Sequence, residues 1–170
     1  NEHGLETNPF WEEPKNTYHV FQEGSEHIGE HPDFQQYKGK LDFVFTSPPY
    51  FDREQYSNDE EQSYKAYPQY DDWRDNFLKP TLTNAFESLR SDRYLLWNIA
   101  DIKIGKDKYH PLEQDSIDII ESLGGRYDGK LKMLMTRMIG LDPSSSGIKN
   151  SVKIDGEYYK YEPIFIFYKK

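Results

Sequence analysis

Cysteine is absent from the 170 residues, which excludes a disulfide scaffold, thiolate chemistry and a Cys-ligated zinc. No apolar run approaches the ~18 residues of a membrane span, and Asn1-Glu2-His3-Gly4 carries no signal-peptide pattern. The chain does not begin with Met, so Asn1 is expected to lie inside a longer sequence. Positive charge is scarce: 21 Lys and Arg stand against 30 Asp and Glu, a net charge of −9. An acidic chain repels phosphate backbones, so a nucleic-acid partner would need a locally basic face or a further segment. These features describe a soluble, cytoplasmic chain without a membrane partner, folded as one domain over residues 1–170.

What is present is aromatic. Hydrophobic residues make up 35%, yet 14 Tyr and 10 Phe bring aromatics to 16%, so a few strongly apolar segments build the core and Tyr rings fill its margins. Residues 18–21, 41–45 and 94–99 read as short strands, the second stopped by Ser47-Pro48-Pro49. Asp71-Asp72 can cap a helix whose apolar positions recur from Trp73 to Leu89, and Pro80 predicts a kink within it. A second helix is expected over 112–123, ended by Gly124-Gly125. The tail gives strands over 130–139 and 161–168, with a polar loop over 142–150 and an Asp155-Gly156 turn between them. Alternating strands and helices followed by paired strands describe an open α/β sheet, parallel early and antiparallel at its last strand. In such sheets ligands bind beyond the C-terminal strand ends, so the loops after Phe21, Phe45 and Ile99 are the places for chemistry.

The segment Thr46-Ser47-Pro48-Pro49-Tyr50-Phe51 follows a buried strand. Two prolines fix the backbone and remove two N–H donors, leaving carbonyls that point in a preset direction. With a Ser hydroxyl and an aromatic face beside them, they suit a planar ring bearing an exocyclic amine: hydroxyl and carbonyl accept its protons, and Tyr50 stacks on the ring.

Ser47-Pro48-Pro49-Tyr50 resembles motif IV of the S-adenosylmethionine-dependent amino methyltransferases, which methylate N6 of adenine or N4 of cytosine. Methylase-like proteins of bacteria and phages with a Ser-Pro-Pro-Tyr-Phe-Asp segment are similar. Gly4 to Pro9 resembles the end of the family's second strand, where Glu6 would accept from the cofactor's ribose. Tyr18 to Ser25 resembles the third strand and its adenine-contacting loop, with Ser25 and Glu26 after Gly24. Residues 97–101, 133–138 and 161–167 resemble the fifth, sixth and seventh strands. The resemblance implies a Rossmann-like class I methyltransferase fold, mostly parallel with an antiparallel last strand. Its N-terminal strand and glycine-rich loop would lie upstream of Asn1, or a second chain would complete the cofactor pocket.

The implied reaction is methyl transfer from S-adenosylmethionine to an amino group of adenine or cytosine in DNA. Ser47, Pro48, Pro49 and Tyr50 form the catalytic loop; Ser47 also touches the cofactor; Tyr50, Phe51, Arg53 and Tyr56 would contact the base or its strand. Methylation of RNA or of a protein amide, and a non-catalytic methyltransferase-like module, remain as alternatives. His27-Ile28-Gly29-Glu30-His31 matches a zinc-peptidase pattern, but the central Gly and the following Pro32 favour a short exposed helix. No metal ligand is assigned. Lys103, Lys106 and Lys108, with Lys130 and Lys132, form the best basic cluster.

Overall fold

The computed structural model describes residues 18–54, 60, 62–106, 108–139 and 149–170. A 3-10 turn (Ile28–Glu30) leads into α1 (Pro32–Gln35) and the first strand, β1 (Leu41–Thr46). Two short helices, α2 (Ser63–Ala66) and α3 (Tyr70–Trp73), are followed by a π-helical turn over Arg74–Leu78 and by α4 (Lys79–Ser88). Then come β2 (Leu89–Asn98), the hairpin of β3 (Ile102–Gly105) and β4 (Lys108–His110), α5 (Leu112–Ser122), β5 (Arg126–Arg137), β6 (Ser151–Ile154) and β7 (Glu157–Lys169).

The main sheet has the order β1-β2-β7-β5, with β6 paired to the first part of β7. β1 and β2 pair in parallel, and β7 is antiparallel to β2, β5 and β6. Four strands therefore run one way and the last runs against them, as the sequence pattern predicts. Insertion of β7 between β2 and β5 leaves a single parallel pairing.

Alternation decides which face is buried. Leu95 and Trp97 face Phe167 and Phe165 across the ladder, and all four are buried with Leu82, Phe86, Leu112 and Ile120 from α4 and α5. Both helices thus cover one face. The opposite face carries Phe43, Phe45 and Tyr94, each roughly half exposed.

Local chemistry explains the element ends. The predicted kink at Pro80 is taken up one turn earlier: a proline cannot donate to the carbonyl four residues back, and the widened π turn accommodates the mismatch. Asp71 and Asp72 lie in the first turn of α3, whose N-cap is Gln69; Asp71 pairs with Arg74 instead of capping. α5 closes with a left-handed Gly124 (φ 83°), its N–H donating to the Glu121 carbonyl and that of Gly125 to Ile120. Asp155 and Gly156 both have positive φ, the primed turn that a two-residue hairpin requires.

The expected strand over 18–21 does not form. Tyr18 and Val20 are more than four-fifths exposed, and no strand pairs with them among the described residues. The segment is held instead by side chains, with Phe21 edge-on to His31, Phe34 and Tyr37 and His19 bonded to the Tyr37 hydroxyl. The strands expected over 130–139 and 161–168 begin earlier, at Arg126 and Glu157. The polar loop lies largely outside the described residues. Among the described residues no helix is long and apolar enough to cross a membrane.

Candidate active site

The Ser-Pro-Pro-Tyr loop leaves the C-terminal end of β1, beside the end of β2. Ser47 is exposed, Pro48 is buried, and Pro49 and Tyr50 are half buried. The backbone turns sharply after Tyr50, where Arg53 N–H donates to the Tyr50 carbonyl and Phe51 adopts a left-handed φ of 41°. That conformation costs a side-chain-bearing residue about 1–2 kcal/mol. Burial of the Phe51 ring against Tyr70, Trp73 and His110 offsets it. Phe51 is therefore a core anchor of the loop, where the sequence reading made it a wall of the substrate pocket.

Anchoring also fixes Tyr50. Its N–H donates to Glu54 Oε2 at 3.2 Å, and its hydroxyl donates to Asn98 Oδ1 at 3.3 Å. Asn98, at the end of β2 and 3% exposed, in turn donates from Nδ2 to the Pro163 carbonyl of β7 at 3.0 Å. Burial first, then the Glu162 carboxylate, push the Tyr50 hydroxyl well above the ordinary tyrosine range, while a hydrogen bond from Ser47 pulls the other way. The hydroxyl accordingly stays protonated across the physiological range and remains a donor. Tyr50, Asn98 and the Pro163 carbonyl thus form one hydrogen-bonded chain at the strand ends, with Ser47 and Glu162 acting on the Tyr50 hydroxyl.

On one side of the loop, Gly24, Ser25 and Glu26 meet Pro49, Glu54 and Phe77 around a cavity of about 240 Å³. Ser25 Oγ lies 3.0 Å from Thr81 Oγ1, and Asn84 donates to the Ser25 and Glu26 carbonyls. The loop after Phe21 is thereby tied to α4 although no strand precedes it among the described residues. The Glu26 side chain is only 10% exposed. Arg53 reaches the other way and donates to the Lys103 carbonyl of β3 at 2.5 Å. Glu6 and Tyr56 lie outside the described residues.

Sequence reading missed the roles of Asn98 and Glu162. The available signal was a polar residue ending the apolar run 94–99 and an acid opening another at 162. His27 and His31 do not share a helical face: His31 Nδ1 accepts from the Asp33 N–H as a cap of α1, and His27 sits beside Glu26.

No protein-family model and no curated protein matches the chain. Solved structures do. They are of TTHA0409 from Thermus thermophilus, described as a candidate DNA modification methylase. Its selenomethionine form is 17% identical with a TM-score of 0.51, covering 86% of this chain and 50% of that one. A complex of that protein with S-adenosyl-L-methionine is 16% identical with a TM-score of 0.51, covering 86% and 51%. A third structure of it is 17% identical with a TM-score of 0.50, covering 85% and 50%. This chain spans about half the length of that protein. At such identity the likeness establishes the fold alone, a mixed α/β sheet shared with that protein.

Proposed function

We propose that the chain methylates an exocyclic amino group of adenine or cytosine in DNA, using S-adenosylmethionine. The observation that carries this reading is the proline-stiffened Ser47–Tyr50 loop at the end of β1, with the Tyr50 hydroxyl fixed on Asn98 of β2, beside the cavity of Gly24 to Glu26. The fold shared with a protein crystallised with S-adenosyl-L-methionine supports it.

The cavity fits one end of the cofactor. Its ~240 Å³ falls short of the roughly 300–1,000 Å³ of pockets that enclose a whole ligand. Pro49 and Phe77 offer flat apolar walls for an adenine ring, and Ser25 and Glu26 offer acceptors. Glu6 is proposed for the ribose, with the methionine part held by an upstream segment or a second chain. When bound, the cofactor supplies a methyl group on a sulfonium.

The chain's own residues orient the amine. Ser47 Oγ and the Pro48 carbonyl accept its two protons, steering its lone pair away from the loop. Tyr50 lies against a base turned out of its helix. Arg53 braces the loop on β3, and Tyr56 belongs to the same substrate-contacting stretch.

Calorimetric titration of S-adenosylhomocysteine and transfer of a labelled methyl group to DNA test this reading. Ser47→Ala and Tyr50→Ala are expected to lower turnover about 100-fold or more, the scale of losing a preorganised donor or acceptor, while circular dichroism stays unchanged. Undiminished turnover in both variants would refute it.

A further inference from the structure

A second cavity, of about 440 Å³, lies on the other side of the loop. Its lining includes Asp101, Lys103, Tyr109, Lys149, Lys160 and Glu162. One hydrogen bond joins it to the candidate active site, from Arg53 to the Lys103 carbonyl, and the charge of Glu162 bears on Tyr50. The cavity is thus a neighbour of the loop and distinct from the one around Gly24 to Glu26.

Its charge is opposite to that of the chain. Its lining holds Lys103, Lys149 and Lys160 against Asp101 and Glu162, a small net positive charge, whereas the whole chain is at −9. Several cations elsewhere are paired: Lys38 with Glu87, Arg74 with Asp75, Arg90 and Arg93 with Asp42, Arg126 with Asp128. Lys130, one of the five in the sequence cluster, is 3.4 Å from Glu113. By contrast, Lys103, Lys106, Lys108 and Lys160 are exposed and form no ion pair among the described residues. Asp101 is already engaged, accepting from Lys149 and from the Glu113 N–H. Lys149 also lies 5.6 Å above the Tyr109 ring, a half-buried aromatic face at the cavity wall.

Unpaired lysines around a tyrosine face are the elements of a single-strand groove, in which cations follow the phosphates and rings stack on bases. We infer that this groove, between the β3–β4 hairpin and the start of β7, holds the DNA strand flanking the target base, with Lys103 and Lys160 on its phosphates and Tyr109 against a neighbouring base. The inference rests on the nucleic-acid reading of the Ser47–Tyr50 loop, and it explains how an acidic chain can hold a polyanion.

The test is fluorescence anisotropy of a labelled single-stranded DNA oligonucleotide with the full chain, at several salt concentrations. The double variant Lys103→Gln with Lys160→Gln removes two exposed charges without touching the core. Its logarithmic salt slope should fall by about 1.4, from about 0.7 per phosphate contact. The affinity gap from wild type should then narrow roughly 7-fold between about 50 and 200 mM salt. Lys40→Gln with Lys79→Gln, far from the cavity, should leave the slope unchanged.

An equal slope in the groove variant, an equal loss in the control variant, or no binding by wild type would overturn the proposal. Preferential displacement of the DNA by RNA of the same sequence would overturn its assignment to DNA. Groove-dependent binding without methyl transfer would sustain the groove and count against the methylation reading. Methyl transfer with an unaltered salt slope would do the reverse.

Discussion

Asn98 offers the sharpest test of how the site is built. Replacing it with Ala removes the donor to the buried Pro163 carbonyl and the acceptor for the Tyr50 hydroxyl. Leaving the carbonyl unpaired costs about 1–3 kcal/mol. The Tyr50 bond, at 3.3 Å, is long, and its loss adds about 0.5–1 kcal/mol. Asn98→Ala should therefore destabilise by about 1.5–4 kcal/mol, or roughly 3–16 °C in Tm for a domain of this length. Asn98→Asp keeps the shape but faces a carboxylate with the Pro163 carbonyl at a position 3% exposed, so burial raises its pKa above the ordinary ~3.9. A carboxyl raised in the folded state stabilises below its unfolded pKa and loses that contribution as pH rises through the folded one. Asn98→Asp should thus be strongly destabilised at pH ~7 and approach wild type on acidification, where the protonated acid can donate to Pro163 as the amide does. Urea unfolding at a series of pH values measures both variants. An Ala variant within about 0.5 kcal/mol of wild type, the range of an ordinary surface change, or an Asp variant whose cost is flat with pH, would refute the reasoning.

Three further predictions concern the scaffold. Lys169 Nζ donates to the Phe86, Glu87 and Leu89 carbonyls and so caps the C-terminus of α4 from β7; Lys169→Met should cost about 1–2 kcal/mol by chemical unfolding, and an unchanged midpoint would remove the cap from the account. Asp115 accepts from the Tyr70 hydroxyl at 2.5 Å, yet burial holds its carboxyl above the ordinary value of 3.8. Asp115→Asn should therefore gain on wild type as pH rises from about 4 toward neutrality, and a difference independent of pH would contradict this. A Cβ on Gly125 would stand 2.4 Å from Ile120 Cγ2 and 2.8 Å from Phe86 Cζ, both core side chains. Gly125→Ala should cost about 1–3 kcal/mol, and less on an Ile120→Leu background, which lacks the offending methyl; an equal cost in both backgrounds would place the strain elsewhere.

Much of the fold was legible because its signals are local. The apolar runs, the Pro80 interruption, Gly124 after α5 and the Asp155-Gly156 turn each prescribe a conformation through sterics or periodicity alone. Residues 18–21 misled for the complementary reason: a β-prone tetrapeptide becomes a strand only where a ladder partner exists, and here Phe21 packs on rings instead. In the candidate site, the Ser-Pro-Pro-Tyr loop declared itself through its prolines. Phe51 was misplaced because its direction depends on a positive φ and on Tyr70, Trp73 and His110 from distant segments. Asn98 meets Tyr50 because β2 lies parallel beside β1, and Glu162 is brought near by β7, inserted on the other side of β2, registers that no single segment encodes.

The same insertion gives the loop two electrostatic sides. Glu26 and Glu54 line the smaller cavity, while Lys103, Lys149 and Lys160 outnumber Asp101 and Glu162 in the larger. A sulfonium cofactor with its ammonium and carboxylate carries one net positive charge and is favoured on the acidic side; a phosphate strand is favoured on the basic one. Tyr50 and Glu54 stand between them, joined by the bond from the Tyr50 N–H to Glu54 Oε2. The overall charge of −9 is then no argument against a polyanionic substrate, because the lining of the larger cavity carries a small net positive charge. Exchanging the sign on one side alone, as Lys103→Glu with Lys160→Glu would, should weaken DNA binding further than the neutral pair while leaving S-adenosylhomocysteine affinity in place. Equal loss of both ligands would mean that the two cavities are one site.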